Sequence, residues 1–334
     1  MNCPNCRSED FKTVVLQSAI SEEIDMRERF ILDRIMGDVT KAELKDKTDF
    51  VHNTSVEILA CRSCQVLARR EEAENYKRHY EGDHYDEQVM EHLLKRYIQA
   101  FREKKEYRKM LPTGSDVLEI GSHVGGFLHV AREWDWNPIG VDIGRDIAQF
   151  ANKKGYRTYD KPVKECDFKD GQFDGIFIWN CFEQLPDPRG SLETVRRILK
   201  PQGILVIRVP NGLFYMLCET ILETKRKVQM ALQENDPVVW ALAYNNLLGF
   251  PHQYGYSGSN LDSLLQQHGF TPIKRANSEL ITLPLIRTSS WAIEEEKRVL
   301  STLESLAQCV TNVYPETLLG PWIEITYQKN NSTS

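Results

Sequence analysis

Between residues 116 and 209 short apolar runs alternate with helix-patterned stretches, and this alternation restricts the possible folds more than any other feature. DVLEI, FDGIFIW and ILVIRV are rich in β-branched and aromatic residues and have the length of buried strands. The pattern predicts strands over 116–120, 138–142, 173–179 and 204–209 with a weaker one at 156–159, and helices reaching to about 134, over 146–154 and over 189–199. Strands separated by helices pair in parallel through right-handed crossovers, so the expected architecture is a doubly wound, Rossmann-like α/β sheet. The end of the chain departs from the pattern. A helix-like GSNLDSLLQQHGF leads to TPIKRANSELITL, and WIEITYQ closes the chain after a helical excursion over 291–310, which predicts an antiparallel last strand.

Upstream, the apolar positions Val89, Leu93, Leu94, Tyr97, Ile98 and Phe101 recur every three or four residues, giving a connecting helix over 86–110 that Pro112 and Gly114 end. Ahead of it stand two cysteine pairs, Cys3 with Cys6 and Cys61 with Cys64, each separated by two residues. Four thiolates in two such knuckles are expected to form a closed, structural zinc site in a ribbon-like module, the alternatives being a redox dithiol pair or unligated thiols. The strand-like runs KTVVLQS and SVEILA flank a charged helical insertion over 21–47 that is expected to fold away as a separate element. The other cysteines, Cys166, Cys181, Cys218 and Cys309, sit in apolar surroundings and are expected to fill core. The predicted organisation is a zinc-binding module over 1–80, a connecting helix over 81–112 and an α/β domain over 113–334.

A formal charge of -6 offers no general attraction to phosphate backbones, which disfavours a nucleic-acid partner. No apolar run reaches the roughly 18 residues that span a bilayer, and Met1 leads into CPNCRSED without a basic and then apolar leader, so the expected address is the cytoplasm. Nothing in the sequence specifies an oligomeric state.

DVLEI runs into GSHVGGF, which places Glu119, Gly121 and Gly125 at the carboxyl edge of the sheet, where open α/β folds bind ligands. Glycine there lets main chain approach a ligand and adopt positive φ. Asp142 ends the following strand, where its carboxylate can accept hydrogen bonds from both hydroxyls of a ribose. A dinucleotide and S-adenosylmethionine both satisfy that geometry. The G-x-G-x-x-G spacing of dinucleotide sites is missing, because His123 stands at its second glycine, and a pyrophosphate sits badly beside Glu119.

At these residues the sequence resembles the class I S-adenosylmethionine-dependent methyltransferases over about 116–270. LEIGSHVGG is similar to their first motif, GVDIG to the ribose-binding strand end, FDGIFIWNCFEQLPDP to their fourth strand and loop, and LKPQGILVIRVPN to the motif of the fifth. His123 replaces the usual middle glycine, and Gln184 stands where many relatives carry histidine. The resemblance implies that the loop of Glu165, Cys166 and Asp167 borders the adenine and that Asn180 lines the methionine end. The cysteine module resembles the zinc-binding N-terminal regions of some sugar C-methyltransferases.

Methyl transfer from a sulfonium is a direct displacement, so alignment and exclusion of water dominate and a base is needed only where the acceptor loses a proton. A cap over 211–257 is expected above the substrate, with His252, Tyr254 and Tyr256 in its aromatic end and Glu183 facing the same cleft. Tyr76, Tyr80 and Tyr85 form a second aromatic set, whereas His52, His79 and His84 are expected to be solvated. The expected substrate is a small polar metabolite, such as a nucleotide-linked sugar or glycan precursor. Two other functions compete: an RNA or protein methyltransferase using the zinc module for recognition, and a methyltransferase-like binding protein without catalysis.

Overall fold

In chain order the elements are β1 (Phe11–Val15), α1 (Gln17–Arg34), β2 (Ile58–Cys61), β3 (Leu67–Arg69), α2 (Glu87–Arg102), β4 (Asp116–Ile120), α3 (Gly126–Glu133), β5 (Asn137–Val141), α4 (Arg145–Lys153) and β6 (Thr158–Tyr159). There follow β7 (Phe173–Trp179), α5 (Pro188–Ile198), β8 (Leu199–Pro210), α6 (Gly212–Lys227), α7 (Pro237–Ala243), β9 (Tyr254–Gly255), α8 (Gly258–Gln267), β10 (Phe270–Ser278), α9 (Ser290–Val313) and β11 (Trp322–Lys329). The structure, a computed structural model, describes residues 2–37, 56–69, 87–250, 253–278 and 288–331. His52, Tyr76, His79, Tyr80, His84, Tyr85 and His252 lie outside the described residues. No described helix is long and apolar enough to cross a membrane.

Two compact units interleave along the chain: residues 1–71, 209–261 and 275–324 make one, and 72–208, 262–274 and 325–334 make the other. They do not follow the sequence-order division at 80 and 112. In the first unit a sheet of order β1-β2-β3-β9 begins at the cysteine module and ends in the expected cap, with Ala68 opposite Tyr254. The described part of the insertion, within α1, does not fold away. Ile20, Ile24, Met26 and Phe30 of α1 enter one core with Ile58 and Leu67 of the sheet and Phe214, Leu222 and Leu242 of α6 and α7. An apolar helix face that finds a core beside it gains about 1.5–3 kcal/mol per large side chain, which a solvated excursion would forgo.

The second unit carries the α/β sheet, in which β4 pairs in parallel with β5 and β7, β5 with β6 and β7 with β8. The full order is β10-β11-β8-β7-β4-β5-β6, with the last strands antiparallel, as the closing segments predicted. From β4 the chain steps outward to β5 and β6 and then returns past β4 to β7. Two crossovers of opposite direction thus leave a crevice at the carboxyl end of β4, the topological switch point where such sheets bind ligands.

Met90, Leu94, Val124, Leu128, Ile147 and Phe150 form one buried layer from α2, the turn after β4, α3 and α4. Helix α2 stops at Arg102, short of the expected 110, because Phe101 is the last buried position of its apolar stripe and the polar residues that follow, Glu103, Lys105 and Glu106, are exposed. Asp187 explains the start of α5: its side chain accepts from the Gly190 amide at 3.0 Å, and Pro188 sits where no amide donor is needed. Cys166 and Cys218 are buried as expected and Cys181 is half-buried, but Cys309 is exposed. The buried positions of α9 are Ala292, Leu300 and Ala307, and Cys309 lies off that face.

Candidate functional site

The turn after β4 is held by main-chain bonds and by one carboxylate. The amides of Gly121 and Ser122 donate to the Val141 carbonyl at 2.8 and 3.1 Å, which ties the turn to the end of β5. Asp142, one residue further, accepts from the His123 amide at 2.8 Å through Oδ2 and from the Gly144 amide at 2.9 Å through Oδ1. Gly121 and Gly125 have φ of 77° and 86°, so the positive-φ reason for glycine holds at both. Their close neighbours are protein atoms: an added Cβ would lie 2.7 Å from Cys181 at Gly121 and 2.7 Å from the Tyr156 ring at Gly125. His123 itself has φ of 46°, and its ring meets Tyr97 edge-on at 5.6 Å. A histidine serves here because the contact with Asp142 is made by its main chain.

Glu119 is 3% exposed, and its Oε2 has no hydrogen-bond partner. Burial, with the Asp142 carboxylate adding to it, raises its carboxyl well above the ordinary range. A buried acid with an open oxygen is costly unless a donor or a cation meets it. The switch-point crevice therefore carries an unmet demand for a positively charged or hydrogen-donating ligand.

Beyond it stand the ends of β7 and β8. Asn180 has φ of 53°, an uncommon conformation for a residue with a side chain. Its amide donates to the Arg208 carbonyl at 3.0 Å, its Oδ1 accepts from Arg208 Nε at 2.9 Å, and its carbonyl accepts from Gln184 Nε2 at 2.9 Å. Arg208 is 1% exposed, its guanidinium 5.5 Å from the Trp179 ring centre. Glu183 is fully enclosed; its Oε1 accepts from Gln184 at 3.2 Å and its Oε2 has no partner. Burial raises its carboxyl to about 7, against the lowering pull of its own backbone bond, Gln184 and Arg208. The Cys181 thiol is pushed well up by burial and by Glu183, Asp142 and Glu119. A thiol kept protonated is a poor nucleophile, so this sulfur can border the crevice without being alkylated.

The structure thus joins Glu119, Gly121, Gly125, Asp142 and Asn180 around one sheet edge. The loop of Glu165 and Cys166 follows β6: Glu165 is exposed, and the buried Cys166 thiol donates to the Pro162 carbonyl at 3.7 Å. Tyr254 and Tyr256 belong to the first unit and are buried, their ring centres 6.3 Å apart with the planes tilted by 50°. Sequence reasoning missed Tyr97, Arg208 and Glu23. Glu23 is fully buried in α1, and its Oε2 accepts from the Gly249 amide at 2.8 Å, fixing the chain shortly before 252. Only their neighbours in the folded chain distinguish these from ordinary helix and strand residues.

In the first unit, the Sγ atoms of Cys3, Cys6, Cys61 and Cys64 all lie within 4.8 Å of one another, with Cys3–Cys64 and Cys6–Cys61 at 3.4 Å. The knuckles repeat one backbone design. Arg7 and Gln65, each following the second cysteine, both have φ of 62°, and each donates its amide to the carbonyl of the first cysteine at 3.0 and 2.9 Å. Zinc–sulfur bonds of about 2.3 Å in a tetrahedron require sulfurs about 3.8 Å apart. The observed spacing fits that set.

A family model described as a methyltransferase domain matches residues 83–275. The uncharacterized protein MJ1123 of Methanocaldococcus jannaschii is 31% identical over 102 residues, 30% of this chain and 47% of that protein. C-methyltransferase NovU of Streptomyces niveus is 25% identical over 162 residues, 46% of this chain and 38% of NovU. These matches span less than half of either relative's length. A solved SAM-dependent methyltransferase from Archaeoglobus fulgidus covers 70% of this chain and 94% of its own at 20% identity, with a TM-score of 0.44.

Proposed function

The chain belongs to the methyltransferase-domain family, and on that premise we propose that it transfers the methyl group of S-adenosylmethionine to a small polar metabolite. The observation that carries this reading is the pair of carboxylates at the switch point. Asp142 accepts from a ribose diol, and the open Oε2 of Glu119 meets the cationic, donor-bearing end of the same ligand. Two acids so close would repel a pyrophosphate. Gly121 and Gly125 shape the turn, Glu165 and Cys166 border the adenine, and Asn180 lines the methionine end. When bound, the cofactor supplies an electrophilic methyl group on a sulfonium.

The chain's own groups orient the acceptor and manage its proton. His252 and Tyr254 are assigned to the acceptor from their place in the aromatic end of the cap. Glu183 is enclosed, so we assign it as a proton store beside the crevice, half-ionised near neutral pH. NovU is named as a C-methyltransferase, which supports transfer to a carbon atom; a nucleotide-linked sugar or glycan precursor is the acceptor class we propose. We assign Cys3, Cys6, Cys61 and Cys64 to one structural zinc ion, which would cross-link the two knuckles, and we place the protein in the cytoplasm.

Calorimetry with S-adenosylhomocysteine tests the cofactor, and Asp142→Ala is expected to weaken binding at least tenfold by removing charge-assisted hydrogen bonds worth about 1.5–3 kcal/mol each. Isotopically labelled S-adenosylmethionine incubated with metabolite extracts then identifies the acceptor by mass. Absence of binding ends the reading, and binding without label transfer to any metabolite favours a binding protein.

A further inference from the structure

Helix α6 buries Phe214, Tyr215, Cys218 and Leu222 in the core of the first unit. A helix with one such stripe ordinarily turns charge to solvent on the opposite side. Here the opposite side is apolar as well. Leu213, Leu217 and Ile221 are 40, 47 and 47% exposed, and Val228, which caps the helix, is 63% exposed. Thr220 and Thr224 stand between them, also exposed, and each turns its hydroxyl back on its own helix, donating to the Met216 and Thr220 carbonyls at 2.8 Å. At 3.6 residues per turn these six positions fall within a sector about 100° wide. The face is continuous and asks for no polar partner.

The charges around it are already matched within the chain. Lys225 pairs with Asp236, Arg226 with Glu22 and Glu219, and Lys227 with Glu223. An acidic protein or an anionic lipid surface is held by unmatched cations, and these three are spent. The spacing names a different occupant. Positions 213, 217, 220, 221, 224 and 228 are separated by 4, 3, 1, 3 and 4 residues, a series that reads the same in both directions. A second α6 laid antiparallel therefore sets Leu213 against Val228, Leu217 against Thr224 and Thr220 against Ile221, with a two-fold axis between 220 and 221. Closed two-fold assembly requires such a self-complementary patch, and antiparallel helices set opposite dipole ends side by side. Covering the face on both copies removes roughly 900 Å² from water, at the low end of specific interfaces and short of an obligate one. We propose that the exposed face of α6 is the interface of a reversible homodimer, in which a second copy of this chain docks antiparallel.

Sedimentation velocity on the full chain tests this, with a reductant present so that the exposed Cys309 forms no cross-link. Between about 1 and 200 µM the wild type is expected to pass from monomer to dimer, the range that an interface of this size sets. Leu217→Lys and Thr224→Glu each put a charge into the apolar face and are expected to weaken the dimer at least about tenfold. Both positions are exposed, so thermal unfolding of either variant should stay close to wild type. Within one helix 217 and 224 are two turns apart and cannot pair, but across the axis they face each other. Combining both changes in one chain should therefore restore association. A wild type that stays monomeric to about 200 µM overturns the proposal, whether it remains free or sediments with neutral phosphatidylcholine vesicles. So does a dimer that either single variant leaves intact, and a double variant that stays apart overturns the antiparallel pairing. None of these outcomes depends on whether the cofactor binds.

Discussion

Replacing Gly121 by alanine probes the turn at its tightest point, because two separable penalties meet there. The first is conformational: φ of 77° places a Cβ where L-residues are disfavoured by roughly 1–2 kcal/mol. The second is steric, since the new Cβ would sit 2.7 Å from both Cβ and Sγ of Cys181; overpacking of this kind costs about 1–3 kcal/mol. Together they predict a loss of about 2–5 kcal/mol in the stability of the β4–β7 pair. Cys181→Gly removes both clashing atoms and leaves the conformational penalty in place. In a double-mutant cycle the coupling between the two changes should therefore be about 1–3 kcal/mol, with the remaining 1–2 kcal/mol unrelieved. Native-state hydrogen exchange on peptides covering 116–120 and 173–179 reads these values locally, without requiring the whole chain to unfold as one body. A coupling below about 0.5 kcal/mol would show that Cys181 does not press on the turn, and full rescue would show that positive φ carries no penalty there.

Glu183 sets a pH dependence of definite sign. Its folded-state value of about 7 lies above the 4.5 of an ordinary glutamate, so its protonated form favours folding below pH 4.5, and that benefit is lost as pH rises through 7. The shift corresponds to about 3 kcal/mol. Glu183→Gln should flatten the fall in exchange-derived stability of β7 between pH 4.5 and 8, and parallel wild-type and variant curves would remove Glu183 as its source. For the cysteine module, elemental analysis of protein purified without chelator should find one zinc per chain, and Cys64→Ser should reduce it. Zinc-free protein with four intact thiols would remove the metal from the account.

The strands of the α/β sheet were legible because burial on both faces writes uninterrupted apolar runs: FDGIFIW becomes β7 residue for residue. Glu119 and Asp142 were legible because a polar residue ending such a run has few places to be except the carboxyl edge. The purpose of the glycines was only half legible. Positive φ follows from the turn, but the approach of Cys181 and Tyr156 depends on segments distant in sequence. Tyr97 reads as one more apolar position on an amphipathic helix, and Arg208 as an oddity inside a strand; the contact of Tyr97 with His123 and the bond of Arg208 to Asn180 appear only after the sheet is assembled. The interleaved units escaped for the same reason. A division made along the chain separates 1–80 from 211–257, whereas their apolar faces share a core.

The pairing of Val15 with Ile58 has a consequence for how this chain tolerates change. Everything between those two residues leaves and returns at adjacent points of one ladder, so topologically it is the tip of a hairpin, however long it grows. Tripling such a tip adds only about 1 kcal/mol of closure entropy. The register that brings the two knuckles together is thus insulated from chain length added between α1 and β2, and insertions there should leave the sulfur cluster unmoved, whereas deleting α1 would strip Ile20, Ile24, Met26 and Phe30 from the core they share with that ladder.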